Sequence, residues 1–69
     1  MKKEVITVVI YKSGQTYTIH NTRKIDYFFN SNGDLICDIQ HEWACDDLVS
    51  YAAYMKDVQS IIIYYEETK

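Results

Sequence analysis

The sequence predicts an α+β domain, a small and mainly antiparallel β-sheet carrying one short helix in the order β-β-β-β-α-β. Three observations support this fold class. Apolar and β-branched runs of strand length recur along the chain, both glycines lie between such runs, and one later segment repeats its apolar residues at helical spacing. The 69 residues contain no proline, repeat or linker-like tract, so we expect residues 1–69 to form a single domain.

The first two strands are predicted to form a hairpin. Residues Val5–Tyr11 are β-branched and aromatic, and Thr16–His20 alternate polar with apolar side chains. The intervening Lys12-Ser13-Gly14-Gln15 is a turn sequence. Together these segments predict two antiparallel strands joined by a short turn.

A second hairpin is predicted around Asn32-Gly33, because both residues tolerate the positive φ of tight turns. Ile25–Asn30 precedes this turn and Leu35–Trp43 follows it. Within Leu35–Trp43 the odd-numbered residues share one face, and the other face carries Asp38, Gln40 and Glu42.

Residues about 46 to 57 are predicted to form the helix. Asp46 or Asp47 would cap it, since a short carboxylate accepts from the first free amides. The residues expected to face the sheet are Leu48, Tyr51, Ala52 and Met55, while Ser50, Ala53 and Asp57 would face solvent with Tyr54 at the border. Gln59–Glu66 would form the last strand.

Two strands, Val5–Tyr11 and Ile61–Tyr65, are apolar on both faces, and one short helix covers only one face of a sheet. A second copy, a partner or sheet curvature must cover the other face. Because a chain of this length also lies just under the comfortable size for a single core, we expect a homodimer.

The cysteines and histidines do not match a metal or catalytic pattern. Cys37 and His41 share a predicted strand face but lie about 13 Å apart, and no closely spaced ligand pair is present. A Cys45 nucleophile with His41 as base stays open, although Glu42, Asp46 and Asp47 would oppose thiolate formation. We therefore expect no enzyme activity, no metal and no cofactor.

Charge is distributed unevenly along the chain, whose formal net charge is -3. Residues 1–25 carry five basic groups against one acid, whereas residues 26–67 carry nine acids against Lys56. This pattern argues against direct nucleic-acid binding and favours a basic partner. The alternative is an ordinary solvated surface.

Seven tyrosines and one tryptophan are the other distinctive feature, since tyrosine is enriched at interfaces. About half of them could simply pack the sheet, because tyrosine is also a good strand former. Acidic and aromatic side chains together make up the predicted partner-binding set: Asp34, Asp38, Glu42, Trp43, Asp46, Asp47, Tyr54 and Tyr64.

The N-terminal apolar run is too short for a secretory core or a membrane span, so a cytoplasmic protein without membrane contact is expected. The acidic chain, its Asn32-Gly33-Asp34 turn and its closing Asp57–Glu67 segment resemble accessory proteins of bacteriophages from low-GC hosts. That resemblance implies an inhibitor of host defence, of the anti-CRISPR type, that binds a host nuclease or other nucleic-acid-binding complex. The alternative is a homo-oligomeric structural or assembly protein of a phage or mobile element.

Overall fold

The computed structural model describes residues 2–43 and 47–68, which form two three-stranded antiparallel sheets. The strands are β1 (Lys2–Tyr11), β2 (Thr16–Ile19), β3 (Thr22–Phe29), β4 (Leu35–Glu42), β5 (Leu48–Tyr54) and β6 (Val58–Thr68). A 3-10 turn, Met55–Asp57, joins β5 to β6. The first sheet has the order β2-β1-β6 and the second the order β3-β4-β5. Both predicted hairpins, β1–β2 and β3–β4, are confirmed.

The chain passes from the first sheet to the second at a sharp bend between β2 and β3. Only His20 and Asn21 separate the two strands, and Asn21 has a φ of 56°. Asparagine is one of the few residues other than glycine that enter this left-handed region readily. The backbone carbonyl of Asn21 also accepts a bond of 3.0 Å from the amide of Glu42, which ties the bend to the end of β4.

The core is a thin layer between the two sheets. Its buried members are Val9, Ile19, Cys37, Ile39, Ala53 and Val58. A hydroxyl pair adds to it, since Thr7 of β1 and Thr22 of β3 are buried and their Oγ1 atoms lie 2.8 Å apart. The Cα atoms span 43 × 25 × 15 Å, so the molecule is two layers thick in its shortest direction.

Glycine is required by conformation in both hairpin connections, where Gly14 has a φ of 96° and Gly33 a φ of 83°. The second connection, residues 30–34, is one residue longer than the predicted Ser31–Asp34 connection. Asn30 closes it, because its side-chain oxygen accepts from the amides of Asn32 and Asp34, each at 2.9 Å. Asn32 does not have positive φ, so the Asn-Gly pair acts through its glycine alone.

The predicted helix of residues about 46 to 57 is wrong. Leu48–Tyr54 is strand β5, which pairs with β4 from Glu42–Leu48 to Ile36–Tyr54. The fold is therefore almost entirely β, and the α+β class is corrected. Asp46, one of the two predicted caps, lies outside the described residues. Within residues 2–43 and 47–68, no helix is long and apolar enough to cross a membrane.

The pattern of buried and exposed side chains in β5 fits a strand and not the predicted helix. Ala53, which would face solvent on the predicted helix, is 1% exposed, whereas Ala52 is exposed. The segment contains both periods, since Val49, Tyr51 and Ala53 also alternate as in a strand. Pairing with β4 satisfies backbone groups over seven residues, while a helix of this length is marginal by itself in water.

Candidate functional site

The outer face of the second sheet brings together three of the predicted partner-binding residues. Asp38 and Glu42 lie on the same face of β4, and Tyr54 of β5 lies opposite Ile36 on that face. On the other side of β4, Asp26 of β3 lies directly opposite Asp38. We call this surface the acidic face and define it by Asp26, Phe28, Asp38, Glu42 and Tyr54.

Aromatic side chains border the acidic face at one end. Phe28 of β3 and Tyr54 of β5 lie on either side of Ile36, and they are 47% and 42% exposed. Ile36 itself is 5% exposed, because these larger neighbours flank it. Lys56 places its Nζ 5.8 Å from the centre of the Tyr54 ring, so a cation marks the limit of the face there.

Basic residues from the N-terminal part of the chain neutralise some of these acids. Arg23 donates to the Glu42 carboxylate, and Lys24 Nζ lies 3.5 Å from Asp26 Oδ2. The fold therefore places basic groups from residues 1–25 beside acids from residues 26–67, and charge is less uneven on the folded surface than along the sequence. Asp38 forms no ion pair among the residues that the structure describes. It remains the least neutralised carboxylate on the face.

The other predicted partner-binding residues do not join this surface. Asp34 lies in the β3–β4 connection, and Trp43, at the end of β4, is 68% exposed. The Trp43 amide donates to the Asp47 carbonyl at 2.7 Å, across the stretch that contains the undescribed Asp46. Tyr64 lies in β6 of the first sheet. The predicted set therefore divides over at least two surfaces.

Three tyrosines form a chain at one margin of the core, and the sequence analysis did not select them as a site. The rings of Tyr17 and Tyr51 stack with centroids 4.4 Å apart, and the hydroxyls of Tyr11 and Tyr51 form a hydrogen bond. Burial, together with this bond and the nearby Tyr11 hydroxyl, raises the pKa of Tyr51 to about 12. The alternation of side chains along β1, β2 and β5 is the sequence signal that could have placed these tyrosines on the same faces as buried residues.

Two open hollows flank the tyrosine chain. Tyr17 lines a hollow of about 420 Å³ together with His20, His41 and Trp43. Tyr11 and Tyr51 line another, of about 400 Å³, with Lys12, Ser13, Gln15 and Asp57. The first hollow combines aromatic walls with the Glu42 carboxylate, and the second combines its two tyrosines with the charged Lys12 and Asp57.

We expect the stability of the protein to fall as pH rises from 10 towards 12, partly through Tyr51. An unfolded tyrosine loses its proton near pH 10, whereas folded Tyr51 keeps it until about pH 12, so alkaline pH favours unfolding. Urea denaturation of Tyr51→Phe at several pH values should therefore show a shallower alkaline loss. Tyr54→Phe, which removes an exposed phenol from the same strand, is the control. Equal slopes for the two variants would contradict this assignment.

The described cysteine and histidines occupy separate places. Cys37 is fully buried in the core, and burial raises the pKa of its thiol, with the Asp38 charge acting in the same direction. His20 is exposed and its Nδ1 lies 3.0 Å from Glu4 Oε2. Among the described residues, no three His, Cys, Asp or Glu side chains are grouped to hold a metal ion. Cys45, the other thiol considered, lies outside them.

Comparison with known proteins adds no relative. No family model matches the chain, and no curated protein or solved structure matches it either.

Proposed function

We propose that this protein is a non-catalytic binding protein of the phage-inhibitor type, which acts in the cytoplasm on a host defence or nucleic-acid enzyme through its acidic face. One observation carries the proposal. Asp26 and Asp38 are directly opposite each other on neighbouring strands, where like charges reduce stability. Lys24 offsets only part of this repulsion, because its ion pair with Asp26 is solvent-exposed.

A basic partner would relieve the repulsion between the two carboxylates. The Cα atoms of opposite residues in an antiparallel ladder lie about 4.5–5.5 Å apart, so one guanidinium could contact both side chains. Phe28 and Tyr54 lie one row away on the same face and offer apolar contact beside the charges. Acidic and aromatic groups in this arrangement suit the arginine-rich and lysine-rich surface of a nucleic-acid enzyme.

Inhibition would follow from competition for the same cations. Lysines and arginines that bind phosphates supply most of the affinity of such enzymes for nucleic acid. A protein whose carboxylates engage those side chains excludes the nucleic acid without touching it. The association rate should be electrostatically steered and should fall as salt is added.

We expect the double variant Asp26→Asn/Asp38→Asn to bind its partner at least about tenfold more weakly, a loss of about 1.4 kcal/mol. Its free energy of unfolding should be unchanged or higher by up to about 1 kcal/mol, because the cross-strand repulsion is removed. Asp47→Asn/Asp57→Asn is the matched control, since it removes the same charge from exposed positions outside the acidic face and the β6 edge. If the double variant binds more weakly although it is at least as stable as the wild type, its loss of binding is not caused by unfolding.

The measurement uses two steps. Immobilised wild-type protein, the double variant and the control are exposed to lysate of a low-GC bacterial host, and retained proteins are compared. Those that bind wild type and control but not the double variant are then purified, and their affinity for DNA is measured with and without this protein. The proposal fails if the double variant retains every partner at low salt, or if the retained partners bind no nucleic acid.

A homo-oligomeric assembly protein is the second candidate function. It is favoured by the apolar side chains that remain exposed along β6, namely Ile62, Ile63, Tyr64 and Tyr65. In that case the acids would serve solubility, and Asp26→Asn/Asp38→Asn would leave function intact.

A further inference from the structure

The outer edge of β6 is long and regular, and it has no partner strand in the described part of the chain. In the order β2-β1-β6, β1 occupies only one of its two edges. Nine consecutive residue pairs, from Lys2–Thr68 to Ile10–Ser60, join β6 to β1 before the ladder becomes irregular. Such an edge presents a row of backbone N–H and C=O groups to which another strand can pair.

The side chains along this edge are apolar on both faces. Ile62 and Tyr64 point to one side and are 49% and 42% exposed, while Ile63 and Tyr65 point to the other and are 54% and 73% exposed. Proline and lysine, which commonly block pairing at sheet edges, are absent from the sequence of residues 58–68. The strand thus lacks the usual protection of an edge over most of its length.

We propose that β6 pairs antiparallel with β6 of a second copy of this chain, about a two-fold axis at Ile63. The apolar segment of residues 61–65 is centred on Ile63, so this register places Ile63 opposite itself. Ile62 then faces Tyr64 and Ile61 faces Tyr65 of the second copy. Pairs of an aromatic and a β-branched residue are favourable across strands. The dimer contains one six-stranded sheet, β2-β1-β6-β6-β1-β2.

The charges of β6 select this orientation. Glu66 and Glu67 both lie near the C-terminal end of the strand, and the N-terminal end carries the uncharged Gln59 and Ser60. Antiparallel pairing about Ile63 places Glu66 opposite Ser60 and Glu67 opposite Gln59. Parallel pairing in register would place each glutamate opposite its own copy, where like charges are destabilising.

The same pairing closes the assembly. It is isologous, so each copy uses the same edge and no second β6 edge remains for a third chain. The opposite edge of that sheet is β2, which has only four residues. Pairing through this sheet is therefore expected to end at a dimer. It forms whether or not the acidic face, on the other sheet, binds a basic partner.

Cysteine cross-linking tests the register directly, in a Cys45→Ser background that leaves only the buried Cys37. Ile63→Cys would place two thiols at the axis, with Cα atoms about 4.5–5.5 Å apart, within disulfide range. Tyr65→Cys is the matched control, because its two copies would lie about 13 Å apart. We expect oxidation to give a covalent dimer at least about tenfold more efficiently for Ile63→Cys than for Tyr65→Cys.

Sedimentation of the unmodified protein provides the independent measurement. We expect a dimer at about 100 μM, well above common dimer affinities. Ile63→Lys should shift it to monomer, because two cations would meet at the axis, whereas Phe29→Lys, at an exposed position on β3, should leave it dimeric. A monomeric wild-type protein, growth into larger oligomers, or equal cross-linking of Ile63→Cys and Tyr65→Cys would each overturn the proposal.

Discussion

Replacing Ile39 with alanine is expected to remove about 2–5 kcal/mol from the free energy of unfolding and to leave much of the protein unfolded. Ile39 is fully buried at the centre of β4, the middle strand of its sheet, and belongs to the core cluster. Its cross-strand partners, Ile25 and Tyr51, are themselves only partly buried and pack against that core. Truncation of this side chain would leave a cavity in the cluster, which the surrounding residues fill only partly.

The size of the core makes this loss severe. Domains of this length rarely have more than about 3–5 kcal/mol of stability from a single core. Val49→Ala is the control, because Val49 is exposed on β5, outside the proposed dimer edge, and its truncation should cost far less. Urea denaturation followed by circular dichroism gives both values. Equal effects for the two variants would show that the proposed core does not carry the stability.

The strands were predictable because their signals are local. Alternation in Leu35–Trp43 placed Cys37 and Ile39 on one face, and both are buried. Gly14 and Gly33 marked the two connections because both require positive φ. Such patterns depend only on neighbouring residues, so no tertiary information was needed to read them.

The prediction of a helix was wrong because a contact with another part of the chain, and not the local sequence, decides the structure of this segment. Leu48–Tyr54 carries apolar residues at both helical and strand spacing, and the tertiary partner decides between them. β4 needs a neighbour on its second edge, and this segment supplies it. The division into two sheets was equally hidden, because it depends on the bend at His20 and Asn21, where no glycine or proline marks a break.

The candidate site was predicted in part. Asp38 and Glu42 share a face as the alternation indicated, and Tyr54 joins them through strand pairing although it was expected on a helix. Asp26 was not selected, because its position opposite Asp38 depends on the register of two strands. The neutralisation of Glu42 by Arg23 was also hidden, since these residues lie far apart in the sequence.

Replacing Thr7 alone with valine is expected to cost about 1–3 kcal/mol, whereas replacing Thr7 and Thr22 together should recover much of that loss. The two hydroxyls satisfy each other where β1 of one sheet meets β3 of the other, and both residues are buried. A single valine leaves the remaining hydroxyl of Thr22 without this partner, at the full cost of its desolvation. The double variant leaves no such group, because valine nearly matches threonine in shape.

A double-mutant cycle measured by urea denaturation separates this hydroxyl pair from a general effect of added methyl groups. Thr18→Val, at an exposed position on β2, is the control and should change stability by less than about 0.5 kcal/mol. If the losses of the two single variants simply add in the double variant, the hydroxyl pair does not couple the sheets. Recovery in the double variant would instead show that the two hydroxyls are coupled, and that an apolar pair of the same shape can replace them at little net cost in the free energy of unfolding.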